Sequence, residues 1–260
     1  MPVTQADDHV VITFDRPHKR NSMDLAAWVA LREAIEDAEK DPRNRAVVLR
    51  GDARSFCAGN DIDSMRRLDT PQAGKDYFVT GMLPTFRAIA ASPLPVVAVV
   101  EGTALGGGVE VLTWSDIVIA GPNATFGLPE TKIGVWATVY FAAMPAASSR
   151  RLGARMALAG DAIGAAEAKE LGLATYAVGE GEIEPTLEKV LAGIAAGAPD
   201  AVARSKRWLN RELLTDGVEA ATAALEEISE HTLQGEEFAG RMADFLAAKA
   251  ARAAAKQGLA

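Results

Sequence analysis

Apolar positions along the chain follow two periods. Short apolar runs at 9–15 (HVVITFD), 46–50, 96–100, 117–120 and 174–178 predict strands. Leu25, Trp28, Leu31 and Ile35 recur at spacings of three and four, which predicts an amphipathic helix over 24–40. Residues 77–91 read as helical, in two pieces because Pro84 lacks a backbone donor. The polar stretch 69–75, with Pro71 and Gly74, reads as a mobile loop. Residues 109–114 and 152–159 read as helices. Gly164 precedes another helix, with Glu167 at the place of a capping-box carboxylate and Gly172 at its end.

Beyond 183 only helical periodicity remains. One helix runs to about 196 and a second over 199–214. Gly217 and Gly235 separate two more. The last, from about 236, places Phe238, Met242, Phe245 and Leu246 on one face, with Lys249 and Arg252 beyond. Alternating strands and helices followed by helices alone predict an α/β core, residues 1–195, and a helical C-terminal region, residues 196–260.

Composition narrows the function classes. With 260 residues and 49% hydrophobic content, a sizeable core is available. The net charge of −8 argues against a nucleic-acid surface, which needs a basic stripe. The single cysteine, Cys57, excludes an intrachain disulfide and fits a reducing compartment. The N-terminal MPVTQADDHV lacks the build of a signal peptide, and no apolar run is long enough to span a membrane, so a cytoplasmic protein is expected. Only His9, His18 and His231 supply imidazoles, none in the glycine-rich middle. A His-based triad or metal site is therefore not expected, and acid–base chemistry falls to carboxylates, tyrosine or lysine.

The chemistry points to EGTALGGGVEVL, residues 101–112. Gly106, Gly107 and Gly108 join an apolar strand to an apolar helix. Glycines there permit a sharp turn and close approach to the main chain. The first N–H groups of the helix have no partner inside it and suit a developing negative charge. Glu110 lies one turn on, roughly on the same face as Gly107. Alone, the stretch fits close helix–strand packing equally well. Three further features stand out: the basic turn Arg16, His18, Lys19, Arg20; the tight turn Ala58-Gly59-Asn60 before Asp61 and Ile62; and Glu130 after the bend at Pro129. Trp136 and Tyr140, in the bulky run 136–144, fit either a pocket wall or plain core packing.

Taken in order, these motifs resemble the enoyl-CoA hydratase/isomerase (crotonase) superfamily from about residue 10 to 249. FDRPHKRNSM is similar to the family's first strand and basic turn, SFCAGNDI to its first oxyanion-hole loop, and VEGTALGGGVEV to its second. FGLPETKIG is similar to its second catalytic segment. ALAGDAIGAAEAKELGLA and EEFAGRMADFLAAK resemble its later helical segments. The resemblance implies a spiral of ββα units with a helical C-terminal trimerisation region, assembled as a homotrimer or a dimer of trimers. It implies an acyl-CoA substrate whose thioester oxygen takes hydrogen bonds from the N–H groups of Asn60 and Gly107, with no cofactor beyond the CoA itself. Arg16, Lys19, Arg20 and Asn21, with Ala58, Gly59, Asp61 and Ile62, would hold the CoA beside Gly106. Lys249 would reach it from its own or a neighbouring subunit.

Retention of both Glu110 and Glu130 implies enoyl-CoA hydration. The other outcomes of the superfamily, Δ3/Δ2 isomerisation, decarboxylation and C–C hydrolysis, are the alternatives, as is a silent acyl-CoA-binding protein. Two departures stand out. Where hydratases of the family start a helix with several glycines, this chain has VWATVY from Val135, which places bulk near the acyl group and the water. Where a lysine is common, it has Asp63.

Overall fold

The computed structural model describes residues 1–257; the side chain of Arg252 lies outside the described residues. Six strands form the larger sheet, in the spatial order β1 (Val3–Gln5), β2 (His9–Thr13), β3 (Ala46–Arg50), β5 (Val96–Val100), β7 (Ile117–Ala120) and β10 (Tyr176–Ala177). All its pairings are parallel except β1 with β2. A smaller sheet orders β4 (Ser55–Cys57), β6 (Thr103–Leu105), β8 (Thr125–Gly127) and β9 (Ile163–Gly164).

The chain winds between the two sheets. In the pairs β3–β4, β5–β6 and β7–β8, the first strand joins the larger sheet and the second joins the smaller. A helical segment follows each pair. This is the spiral of ββα units that the motif order implied. Every residue of β5 is buried, as a parallel strand covered on both faces requires.

Helices close the layers. After α1 (Leu25–Ala38) come α2 (Ile62–Met65), α3 (Pro71–Lys75) and α4 (Leu83–Ala91). The next, α5 (Gly107–Trp114), is buried at all eight residues. An α-helix without a polar face belongs inside a core, not on its surface. Then follow α6 (Thr138–Ala147), α7 (Arg150–Ala154), α8 (Ala165–Glu170), α9 (Ile183–Ala196), α10 (Pro199–Leu209), α11 (Val218–Glu227) and α12 (Glu236–Gln257). One hydrophobic cluster reaches from Val10 of β2 to Met242 of α12. A smaller one packs Leu187 and Val190 of α9 on Val48, Val97, Val99 and Ile119 of the larger sheet.

A buried cation ties the helical region to the sheet. Lys206 of α10 is 4% exposed and pairs with Asp116 at 2.7 Å. Its Nζ also donates to the carbonyls of Ile89 and Leu94, each at 2.8 Å. Asp116 in turn accepts from the Val96 N–H at 2.7 Å, at the start of β5. A buried ammonium is tolerated when its donors are all occupied in this way.

Several expectations are corrected. The stretch 69–75 is not a loop: Thr70 Oγ1 accepts from the Ala73 N–H at 3.1 Å, and Pro71 takes the first turn of α3. Pro favours that position because its missing donor is not needed there. Gly217 does not separate two helices, because the helical chain continues through it into α11 by i→i+5 bonding. The helix expected over 199–214 stops at Leu209, and Asn210 turns out of it. Glu167 caps nothing and pairs with Arg155 instead. The strands β1, β4, β6 and β9 carried no recognised signal, being three residues or fewer.

Candidate active site

Two turns meet above α5. Gly106 enters the helix with φ +53°, a conformation that side chains with a Cβ rarely adopt. A Cβ on Gly108 would sit 2.2 Å from the Cys57 carbonyl oxygen, so the helix packs backbone-to-backbone on β4. On the other side, Gly59 approaches so closely that a Cβ there would stand 2.9 Å from the Gly107 nitrogen. The turn Ala58–Asn60 and the start of α5 are thus in direct contact. Gly107 opens the helix and has no i−4 carbonyl within it. Among the described residues, neither its N–H nor that of Asn60 donates to another backbone group.

The Asn60 turn is held from several directions. The Met23 N–H donates to the Gly59 carbonyl at 2.8 Å, and the Asp61 N–H to the Met23 carbonyl at 2.8 Å. The Asn60 carboxamide oxygen accepts from Trp28 Nε1 at 2.9 Å and from the Tyr77 hydroxyl at 3.2 Å. Buried indole and phenol groups commonly find such partners. Trp28 and Tyr77 were unread in the sequence as parts of the site, because each lies far from Asn60 along the chain. Cys57, beside this turn, is fully buried, which pushes its thiol up to about 12 and keeps it neutral.

Two carboxyl groups face the same cavity, of about 890 Å³. Glu110 is 4% exposed on α5. Its Oε1 accepts from the N–H groups of Val139 and Tyr140, each at 3.1 Å, at the start of α6. Glu130 follows the bend at Pro129, in a 3₁₀ turn that closes on Gly134. Its Oε1 lies 3.0 Å from where a Gly106 Cβ would stand, so that glycine also makes room for this carboxyl. Glu130 Oε2 is withdrawn from solvent and has no hydrogen-bond partner among the described residues.

Their protonation differs for physical reasons. Burial raises the pKa of Glu110 above the ordinary carboxylate range, while the Tyr140 and Val139 N–H groups pull it back. Burial raises that of Glu130 too, and the neighbouring Glu110 charge raises it further. Two nearby carboxyls in one dry site do not both ionise readily. Glu130, whose carboxyl has only its own backbone N–H as donor, therefore holds its proton more tightly than Glu110, which has two N–H donors.

Most of the remaining sequence candidates line this cavity. Lys19, Arg20, Ala58, Gly59, Asn60, Asp61, Ile62, Gly106, Gly107, Trp136 and Lys249 all do, Lys249 reaching it within its own chain. Lys19 is held by Asp63 and by Asp61, the latter at 3.5 Å. Arg16 and Asn21 are not brought to the lining. Arg16 is committed to Asp24 at 3.0 Å, to Asp61 at 3.3 Å and to the Ser22 carbonyl at 2.6 Å. Asn21 is 1% exposed, accepts from the Arg16 N–H at 2.9 Å and donates to the Ser55 carbonyl at 2.8 Å. Both stiffen the basic turn from behind. Tyr140 packs in the core, its hydroxyl 2.8 Å from that of Ser148. The bulk expected from the VWATVY segment therefore enters the cavity through Val135, Trp136 and Thr138. Among the described residues, no group of three or more His, Cys, Asp or Glu could hold a metal ion, and no helix is long and apolar enough to cross a membrane.

Known proteins share this arrangement of chain. The short-chain-enoyl-CoA hydratase of Clostridium acetobutylicum is 34% identical over 211 residues, 79% of each chain. A (7aS)-7a-methyl-1,5-dioxo-2,3,5,6,7,7a-hexahydro-1H-indene-carboxyl-CoA hydrolase of Mycobacterium tuberculosis is 37% identical over 137 residues, 52% of this chain and 55% of the hydrolase. The crystal structure of an enoyl-CoA hydratase from Mycobacterium avium subsp. paratuberculosis superposes with a TM-score of 0.81 at 32% identity, covering 94% of each chain. The enoyl-CoA hydratase/isomerase family model matches residues 6–251, nearly the full length, and the chain belongs to that family.

Proposed function

We propose that the protein is an enoyl-CoA hydratase, adding water reversibly across the 2,3 double bond of a 2-enoyl-CoA thioester. The observation that carries this reading is the unlike pair of carboxyls, Glu110 accepting from two N–H groups and Glu130 with an unpartnered Oε2, beside two main-chain N–H groups. The thioester oxygen accepts from the Asn60 and Gly107 N–H groups. Water oxygen bonds to Cβ, and a water proton passes to the Glu110 carboxylate. The double-bond electrons move onto the thioester oxygen as an enolate, which the two N–H donors stabilise. As the enolate collapses, Glu130 gives its proton to Cα, and the 3-hydroxyacyl thioester results. No cofactor beyond the CoA of the substrate takes part.

The cavity's gradient of burial orients the substrate. Lys19, Arg20 and Lys249 gather at the exposed rim, where the CoA phosphates bind. Phe78, Met82, Leu225 and Ile228, all at most 3% exposed, face the acyl group. The active assembly is a homotrimer or a pair of trimers. Purified protein is expected to abolish the enoyl-thioester absorbance of 2-enoyl-CoA esters, and Glu110→Gln and Glu130→Gln to stop it. Undiminished turnover in both variants would end this reading.

A second reading is hydrolytic C–C cleavage of a cyclic acyl-CoA. The likeness to the indene-carboxyl-CoA hydrolase and the bulky apolar walls favour it. Product analysis separates the two: hydration yields one 3-hydroxyacyl thioester, whereas cleavage opens a ring and adds a carboxylate.

A further inference from the structure

Helix α6 brings one more polar group to the cavity. Thr138, its first residue, is 4% exposed and lines the cavity. Most other helix hydroxyls with a hydrogen bond turn back onto their own backbone, and Thr85 of α4 instead donates to the Trp28 carbonyl at 2.8 Å. Thr113 donates to the Glu110 carbonyl at 2.7 Å, Ser115 to Val111 at 2.8 Å, Thr222 to Val218 at 2.7 Å and Ser229 to Leu225 at 2.7 Å. Thr138 opens its helix, so the residue four before it, Gly134, lies outside that ladder. Its hydroxyl has no hydrogen-bond partner among the described residues, whereas the carboxamide oxygen of Asn60, also in the lining, is taken by Trp28 and Tyr77.

The hydroxyl precedes the two N–H groups that fix Glu110 Oε1. Glu130 Oε2 likewise has no protein partner among the described residues, and both hydrogen bonds of Glu110 go to its Oε1. Three polar side chains thus line one cavity, from α5, the Glu130 turn and α6. A buried water typically makes about three hydrogen bonds to such groups.

We infer that Thr138 is a third water-holding residue of the hydration step, an inference that rests on the hydratase reading. Its Oγ1 accepts the second hydrogen of the attacking water while Glu110 takes the first. A lone pair of that water is then left pointing at Cβ. The family's glycine-rich helix start has no side chain for this role. Here the threonine at that place supplies one.

Thr138→Val keeps the shape and removes the hydroxyl. Two rates are measured on each protein: hydration of crotonyl-CoA, and wash-in of solvent deuterium at Cα of butyryl-CoA. The second needs the enolate but adds no water. The ratio of hydration to exchange is expected to fall about tenfold in Thr138→Val, with KM for crotonyl-CoA within about twofold. Thr138→Ser is expected to restore the ratio to within about threefold. An unchanged ratio in Thr138→Val, with both rates kept or both lost together, would overturn the role. Wild-type protein that exchanges Cα protons yet hydrates no 2-enoyl thioester would overturn the hydratase reading, and this role with it.

Discussion

The deep end of the cavity and its rim are built on opposite terms. At the deep end, Glu110, Thr138, Met82 and Leu225 are each at most 4% exposed, and the polar atoms have few partners, each fixed by a helix start. At the rim, Lys19 pairs with Asp63 and reaches back to the buried Asp61 at 3.5 Å, and Lys249 stands in solvent. A charge or donor in the dry end is worth far more than one in water, because little solvent screens it. An exposed charge contributes little and salt weakens it further. On the proposed reading, reaction rate is set at the deep end, and affinity for the CoA moiety is adjusted at the rim.

That division can be broken by mutation. Glu130→Gln removes the proton donor and keeps the volume, so kcat is expected to fall about a thousandfold. KM is expected to move by no more than about threefold, because the CoA contacts proposed for the rim are untouched. A KM change of the same size as the kcat change, measured in steady-state kinetics, would erase the distinction.

Gly108→Ala tests whether the deep end depends on backbone placement. The added Cβ meets the Cys57 carbonyl at 2.2 Å, so α5 must shift away from β4 and take the Gly107 N–H with it. A displacement of about 1 Å from a working geometry costs about a hundredfold in rate. Overpacking also costs about 1–3 kcal/mol of stability. Kinetics and thermal melting of the variant measure the two effects.

The carboxyls make stability depend on pH. A carboxyl whose pKa is raised in the folded state favours folding fully below its unfolded value, about 4.3. That contribution is lost as pH rises through the folded value. Glu130, raised by burial and by Glu110, therefore destabilises the fold progressively from mildly acidic to alkaline pH. Glu130→Gln is expected to melt higher than wild type by a margin that widens from pH 5 to pH 9. A margin that narrows over this range would mean that Glu130 is ionised in the folded protein.

The smallest effect belongs to the rim. Lys249→Ala is expected to raise KM for acyl-CoA about threefold at low salt, leave kcat alone, and have no measurable consequence at high salt. A comparable loss toward acyl-pantetheine, which lacks the nucleotide, would show that Lys249 acts elsewhere than on the phosphates.

The parts legible in the sequence were those with short-range causes. Gly106 to Gly108 announced the turn because no other residue permits it, and β5 showed as an unbroken apolar run. Glu110 stood out from its spacing to the glycines, and Glu130 from its place after a rigid bend. What stayed hidden needed contacts between distant residues. Trp28 and Asn60 meet across 32 positions, and Thr138 owes its free hydroxyl to where a helix happens to begin. Arg16 looked like its basic neighbours, yet two carboxylates draw it away from the cavity. The five residues of α3 were too few to show a period, and only Thr70 before Pro71 could have marked its start.

The Lys206–Asp116 clasp bears on how this chain comes apart. Lifting α10 away would leave an ammonium without its carboxylate and strip two carbonyls of their donor, and would loosen the Asp116 carboxylate that holds the start of β5. Peeling the last third of the molecule while the rest stays folded is thereby penalised. Melting is driven toward one concerted transition, although the outer third contains only helices.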